Sequence, residues 1–121
     1  MKIAIPADDK NIDSTVCQSF GRTPYFLTYD TETETAEYID NSAASSQGGA
    51  GIKAAQAIVD SKVSAILTPR CGQNAAEVLT AAGILIYKTE SPSIKENIAA
   101  FKENRLEQLQ EIHAGFHGHG G

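Results

Sequence analysis

The chain holds two cysteines, and one of them stands where a thiol wanted only for packing would not be placed. Cys71 lies in "PRCGQNA", residues 69–75, directly after the apolar run "VSAILT" and directly before the helical pattern "AAEVLTAAG". Arg70 brings a fixed positive charge to this junction and Cys71 a soft, ionisable sulfur. Gly72 lets backbone approach a ligand closely, and the free N–H groups of the helix start around Asn74 favour an anion. A helix N-terminus and a neighbouring arginine both lower a thiol's pKa, so the position is expected to favour thiolate, the form that binds metal. The same residues also describe a small buried cysteine in a tight turn, and that alternative stays open.

Two further stretches carry chemistry. In "VCQSFGRTPYF", residues 16–26, Cys17 and Arg22 flank a phenylalanine–glycine pair. In "QGGAGIKAAQ", residues 47–56, Gly48, Gly49 and Gly51 precede a helix, a pattern able to wrap a phosphate, a cluster or a carboxylate. It is neither a Walker loop nor GxGxxG, and a flexible linker ending in a helix start reads the same way. His113, His117 and His119 in the Gly-rich tail "HAGFHGHGG" form a short tract of the kind that binds divalent metals. A solvated tail with incidental metal affinity is the plainer account of them.

Composition limits the partners. Ten Lys+Arg against fifteen Asp+Glu leave a net charge of -5, which argues against nucleic acid or an anionic membrane as partner. Any anionic ligand must therefore be small and held locally. Two cysteines are too few for a disulfide scaffold and make no CxxC pair, so free thiols or metal ligands are expected. No apolar stretch approaches the roughly 18 residues of a membrane span. The start, "MKIAIPADD", turns acidic too soon for a secretory signal, and the protein is expected to be cytoplasmic.

The elements that must position these residues read as one α/β domain. "KIAI" is a short buried strand stopped by Pro6, followed by a long polar loop over residues 7–23 that includes Cys17. "YFLTYD" and "TAEYID" form a hairpin. A helix follows the glycines with Ile52, Ala55, Ile58 and Val59 inward; "VSAILT" is a buried strand; a second helix turns Ala75, Val78, Leu79 and Ala82 inward and stops at Gly83. "ILIYK" is a strand, and "SPSIKENIAAF" opens a third helix with Ser91 as cap and Pro92 in the first turn. A last helical turn or two is expected at Leu106, Leu109 and Ile112, then a mobile tail. The order β-β-β-α-β-α-β-α implies a parallel half of the sheet with right-handed crossovers.

Ligands of such sheets bind beyond the carboxyl ends of parallel strands. If the first strand and "VSAILT" are neighbours, their ends lie about 5 Å apart, and Cys17, Arg22, Arg70 and Cys71 can converge on one rim with the glycine loop.

"FGRTPYFLTYD", "GGAGIKAAQ" and "RCGQNAAEVLTAAGI", in that order, resemble the dinitrogenase iron–molybdenum cofactor accessory family over residues 1–104. The resemblance implies an RNase H-like three-layer α/β/α fold with a five-stranded mixed sheet, and residues 105–121 as a C-terminal extension. It also implies a small, non-catalytic carrier for an anionic metal–sulfur cluster of the iron–sulfur, molybdenum–sulfur or iron–molybdenum type, working with a donor or acceptor protein. Cys17 and Cys71 are then candidate ligands, and Arg22, Arg70 and the amides around residues 48–51 and 72–74 would hold the anion. The chain departs from the family pattern at Ser19, where histidine is common, and at Gln73, where proline is common. Two cysteines cannot build a four-cysteine cage, so the cluster brings its own ligands, two chains share it, or histidine helps.

Three rivals remain at this level. A nuclease on the same fold needs clustered carboxylates, and Asp8, Asp9 and Asp13 fall in a loop rather than on the first strand. A metal-free module for a phosphate or other small anion would use the glycines and Arg70. A thiol switch would pair Cys17 with Cys71.

Overall fold

The computed structural model describes residues 1–109; His113, His117 and His119, with Ile112 and the tail, lie outside the described residues. Five strands form one sheet: β1 (Lys2–Ala7), β2 (Tyr25–Asp30), β3 (Thr35–Asp40), β4 (Ala65–Thr68) and β5 (Leu85–Lys88), in the spatial order β3-β2-β1-β4-β5. β1, β2 and β3 pair antiparallel, while β4 lies parallel to β1 and β5 parallel to β4. Helices α1 (Ala50–Asp60) and α2 (Gln73–Ala81) cross between the parallel strands, and α3 (Ile94–Lys102) follows β5.

Side-chain alternation along the strands sets the layers. Ile3 and Ile5 of β1 and Leu67 of β4 share a core with Ile94 and Ile98 of α3. Ala4, Ile66 and Ile86 point the other way, onto Ala54, Ala55 and Ile58 of α1 and Leu79 of α2. The result is the three-layer α/β/α arrangement with a five-stranded mixed sheet, as the family resemblance implies. β1 and β4 are buried on both faces, which is why they read as near-continuous apolar runs.

Several local expectations are corrected. β1 runs through Pro6, because β4 pairs only with Ile3 and Ala4 and the missing N–H falls outside that ladder. In α1 the small Ala54 is fully buried and Ile52 is 43% exposed, so the inward stripe is rotated from the expected one. In α2 Ala76 takes the inward place expected for Ala82, which is exposed. α3 is capped by Ser93, whose hydroxyl accepts the Glu96 N–H at 3.2 Å, and Ser91 instead donates to the Glu96 carboxylate at 2.7 Å. Gly83 does stop α2, in the left-handed region at φ +79.

Residues 105–109 are not helical. They run along the free edge of β5, where the Lys88 N–H donates to the Glu107 carbonyl at 2.8 Å and the Leu109 N–H to the Ile86 carbonyl at 2.9 Å. Leu106 is buried on the α3 side, and Leu109 packs on the opposite core, so this segment covers an edge that would otherwise be open.

Candidate functional site

The parallel pairing of β1 with β4 brings their carboxyl ends to one rim, and the turn after β4 is built tightly. Thr68, fully buried, donates its hydroxyl to the Arg70 carbonyl at 2.8 Å and so bends the chain sharply after Pro69. Gly72 then caps α2 with ordinary extended backbone, φ -68 and ψ 161, and with no side chain accepting from the first turn. The first bond that closes α2 runs from the Ala76 N–H to the Gly72 carbonyl at 2.9 Å. The amides of Gln73, Asn74 and Ala75 have no protein acceptor among the described residues.

α1 starts in the same manner. Gly49, at φ +68, sits in the left-handed region that a side chain would strain, and it too leaves the helix without a side-chain cap. The Lys53 N–H closes the first turn on the Gly49 carbonyl at 3.0 Å, leaving the amides of Ala50, Gly51 and Ile52 unpartnered among the described residues. Neither helix carries an acid in its first turn. α3, by contrast, has both a serine cap and Glu96. Two of the three helices thus present bare positive ends.

The long loop after β1 supplies the third wall. Gly21 lies against the first turn of α1, with room for no Cβ. Asn41 holds it there: buried, it donates to the carbonyls of Gly21 at 3.0 Å and Thr23 at 2.8 Å. Phe20 packs under this loop against Phe26, ring centroids 5.2 Å apart.

Together residues 18–21, 49–52 and 70–75 line an open cavity of about 720 Å³. Among the described residues no carboxylate lines it, in a chain of net charge -5. Its one cation is Arg70, exposed, with no ion-pair or hydrogen-bond partner for its guanidinium among the described residues. Among the described residues nothing requires a glycine at 72: its backbone suits any residue, and a Cβ there would meet nothing within 4 Å.

Of the residues singled out by sequence, Gly49, Gly51, Arg70, Cys71, Gly72 and Asn74 come together on this cavity, and Cys17, Arg22 and Gly48 are not among its lining. Cys17 is half-buried just after β1, its N–H on the Pro6 carbonyl at 2.9 Å. The Arg22 guanidinium donates to the carbonyls of Ala44 at 3.0 Å and Ser46 at 2.8 Å. The thiolate expected at Cys71 is corrected. Cys71 is 1% exposed, in contact with the aliphatic core as well as the cavity floor, and burial pushes its thiol up to about 11. Burial alone sets this direction, and it disfavours the thiolate at neutral pH. Among the described residues, no group of three His, Cys, Asp or Glu side chains is placed to hold a metal ion. Ser19, Phe20, Gly21 and Ala50, which the sequence marked only as parts of the quoted motifs, also line the cavity, as do Gln18 and Ile52, which no sequence signal pointed to as site residues; the packing of Gly21 on α1 brings the two segments together.

Fold and cavity define a small α/β domain with a cavity at the carboxyl ends of its parallel strands. The chain belongs to the dinitrogenase iron-molybdenum cofactor family, whose sequence profile matches residues 1–104. An uncharacterized protein of Methanocaldococcus jannaschii is 33% identical over 113 residues, 91% of this chain and 92% of that one. Among solved structures, the apo form of the orange protein from Desulfovibrio gigas superposes with a TM-score of 0.86 at 32% identity, covering 90% of this chain and 92% of that one. A NifB-like protein from Thermotoga gives a TM-score of 0.81 at 36% identity, covering 95% and 98%. No helix among the described residues is long and apolar enough to cross a membrane.

Proposed function

We propose that the protein is a non-catalytic binding and carrier protein for an anionic metal–sulfur cluster containing iron, molybdenum or both. Residues 1–104 form the cluster-binding domain and 105–121 an extension. It would act in the cytoplasm, receiving its cargo from a donor protein or passing it to an acceptor.

One observation carries this reading: two glycine-led helix N-termini without side-chain caps and Arg70 surround one cavity, which among the described residues holds no acid and offers Arg70 no partner. Amide N–H groups and a guanidinium hold negative charge without supplying a ligand atom to a metal. Cluster sulfides accept such hydrogen bonds, and the bonds also tune the cluster's potential. Cargo that already carries its own sulfide ligands suits this cavity best. The neutral Cys71 thiol adds a polarizable wall that does not repel an anion, and ligation by it would require a metal to displace its proton.

A cavity of about 720 Å³ lies in the range of cofactor sites, which favours a polynuclear cluster over a lone phosphate. The thiol switch has little support, because Cys71 is buried and Cys17 lies off the cavity. The test is anaerobic reconstitution with iron, sulfide and molybdate, followed by visible spectra and metal analysis. Stable colour and co-eluting metal are expected; a colourless, metal-free protein contradicts the proposal.

A further inference from the structure

We propose that Arg22 and Lys53 are positioning residues for the cargo site, acting as a two-cation latch on Ser46 that holds the glycine turn from which α1 presents its amides. The assignment rests on the cargo function above. Residues 46–49 join the short 3₁₀ turn Ser42–Ser45 to α1, and they have little else to hold them. Gln47, Gly48 and Gly49 are exposed, and a Cβ on Gly48 or Gly49 would meet nothing within 4 Å. Such a glycine turn is loose unless its ends are fixed.

The two cations fix them. Arg22 reaches the Ser46 carbonyl at 2.8 Å and the Ala44 carbonyl at 3.0 Å. Lys53 holds the turn from the other side: its ammonium donates to the Ser46 hydroxyl at 3.2 Å, while the Gly49 carbonyl accepts the first helical bond of α1 from the backbone N–H of residue 53 at 3.0 Å. Neither has a carboxylate within ion-pair reach among the described residues, whereas Lys10, Lys95, Lys102 and Arg105 each face one. Charge that other cations of this acidic chain spend on carboxylates is here directed at backbone and hydroxyl. Arg22 also follows Gly21, so one strand of the loop both abuts the first turn of α1 and clasps the segment leading into it. The latch sets the geometry of the amides without touching the cargo.

The latch can be read in the cargo-free protein. Arg22→Ala and Lys53→Ala are expected to speed amide hydrogen exchange at the two hydrogen-bonded amides that bracket the turn, those of residues 46 and 53 on the Ala43 and Gly49 carbonyls, each at 3.0 Å, roughly three- to tenfold, about the worth of one exposed charge-assisted hydrogen bond. Exchange across β1 and β4 should stay unchanged, and Lys53→Arg should restore the slow rate. Cluster affinity, measured in parallel by anaerobic titration with a preformed anionic iron–sulfur cluster, should fall by a similar factor in the alanine variants and recover in Lys53→Arg. Wild-type exchange rates in both alanine variants overturn the latch, whatever the cargo does. Faster exchange with undiminished affinity overturns the positioning role. A wild type that binds no cluster overturns the cargo function, and this assignment with it.

Discussion

Gly21 and Gly51 touch backbone to backbone: a Cβ built on Gly21 would stand 2.9 Å from the Gly51 nitrogen and 3.1 Å from its Cα. Real side chains are not tolerated at such a distance from main chain, so the loop after β1 can lie on α1 only through a glycine. That contact closes the third wall of the cavity. Gly21→Ala is therefore expected to lower the unfolding free energy by about 1–3 kcal/mol, as overpacking does, measured by denaturant titration. A variant as stable as wild type would show that the loop sits elsewhere.

Gly72 predicts the opposite pattern. Its φ of -68 suits any residue, and open space surrounds the position of a Cβ. Gly72→Val should change stability by less than about 0.5 kcal/mol while weakening cluster binding by filling the cavity wall. Equal cluster affinity in both proteins would place the cargo away from α2.

Arg70 is exposed, and its guanidinium has no partner among the described residues, so its removal is expected to cost the fold little. Arg70→Gln should retain the wild-type melting temperature and lose about tenfold in cluster affinity, with a shallower dependence on salt. An unchanged salt dependence would remove Arg70 from the site.

The Cys71 thiol titrates at about 11 against an ordinary value of 9.0, because burial disfavours its charged form. For a group whose folded pKa is raised, the stabilising contribution is complete below the unfolded value and is lost as pH climbs through the folded one. The window is thus pH 9 to 11. Cys71→Ala should be destabilised relative to wild type at neutral pH by cavity formation, and that gap should narrow across the window. A gap that stays constant from pH 8 to 11 would mean the thiol is not held neutral by its surroundings. Iodoacetamide at pH 8 should likewise modify Cys17 well before Cys71.

Much of this architecture is legible in the sequence, for local reasons. Apolar runs at residues 3–5 and 65–67 announce strands buried on both faces, and glycine before each of α1 and α2 marks where a helix end is left uncapped. What escapes is whatever depends on contact across the chain. Helical periodicity places Ile52 inward, yet the small Ala54 lets α1 sit close to the sheet, and Ile52 is turned to the cavity rim. The arginine beside Cys71 suggests a thiolate, but nothing in the spacing reveals that Cys71 is buried in the same apolar cluster as Ile66 and Leu79. Residues 105–109 have the spacing of a helix, and the unpaired edge of β5 claims them as a strand partner instead. The buried polar groups Asn41, Thr68 and Asn97, each tying down a loop, carry no signal outside the fold.

The most direct measurement is anaerobic loading of the protein with iron, sulfide and molybdate, then gel filtration and metal analysis, in three forms of the chain. If backbone amides and Arg70 hold the cargo, wild type and the Cys17→Ser/Cys71→Ala double variant will both carry coloured metal through the column, and Arg70→Gln/Gly72→Val will emerge depleted. Metal lost from the cysteine variant but kept by the arginine–glycine variant would contradict the account, and so would a wild type that emerges bare.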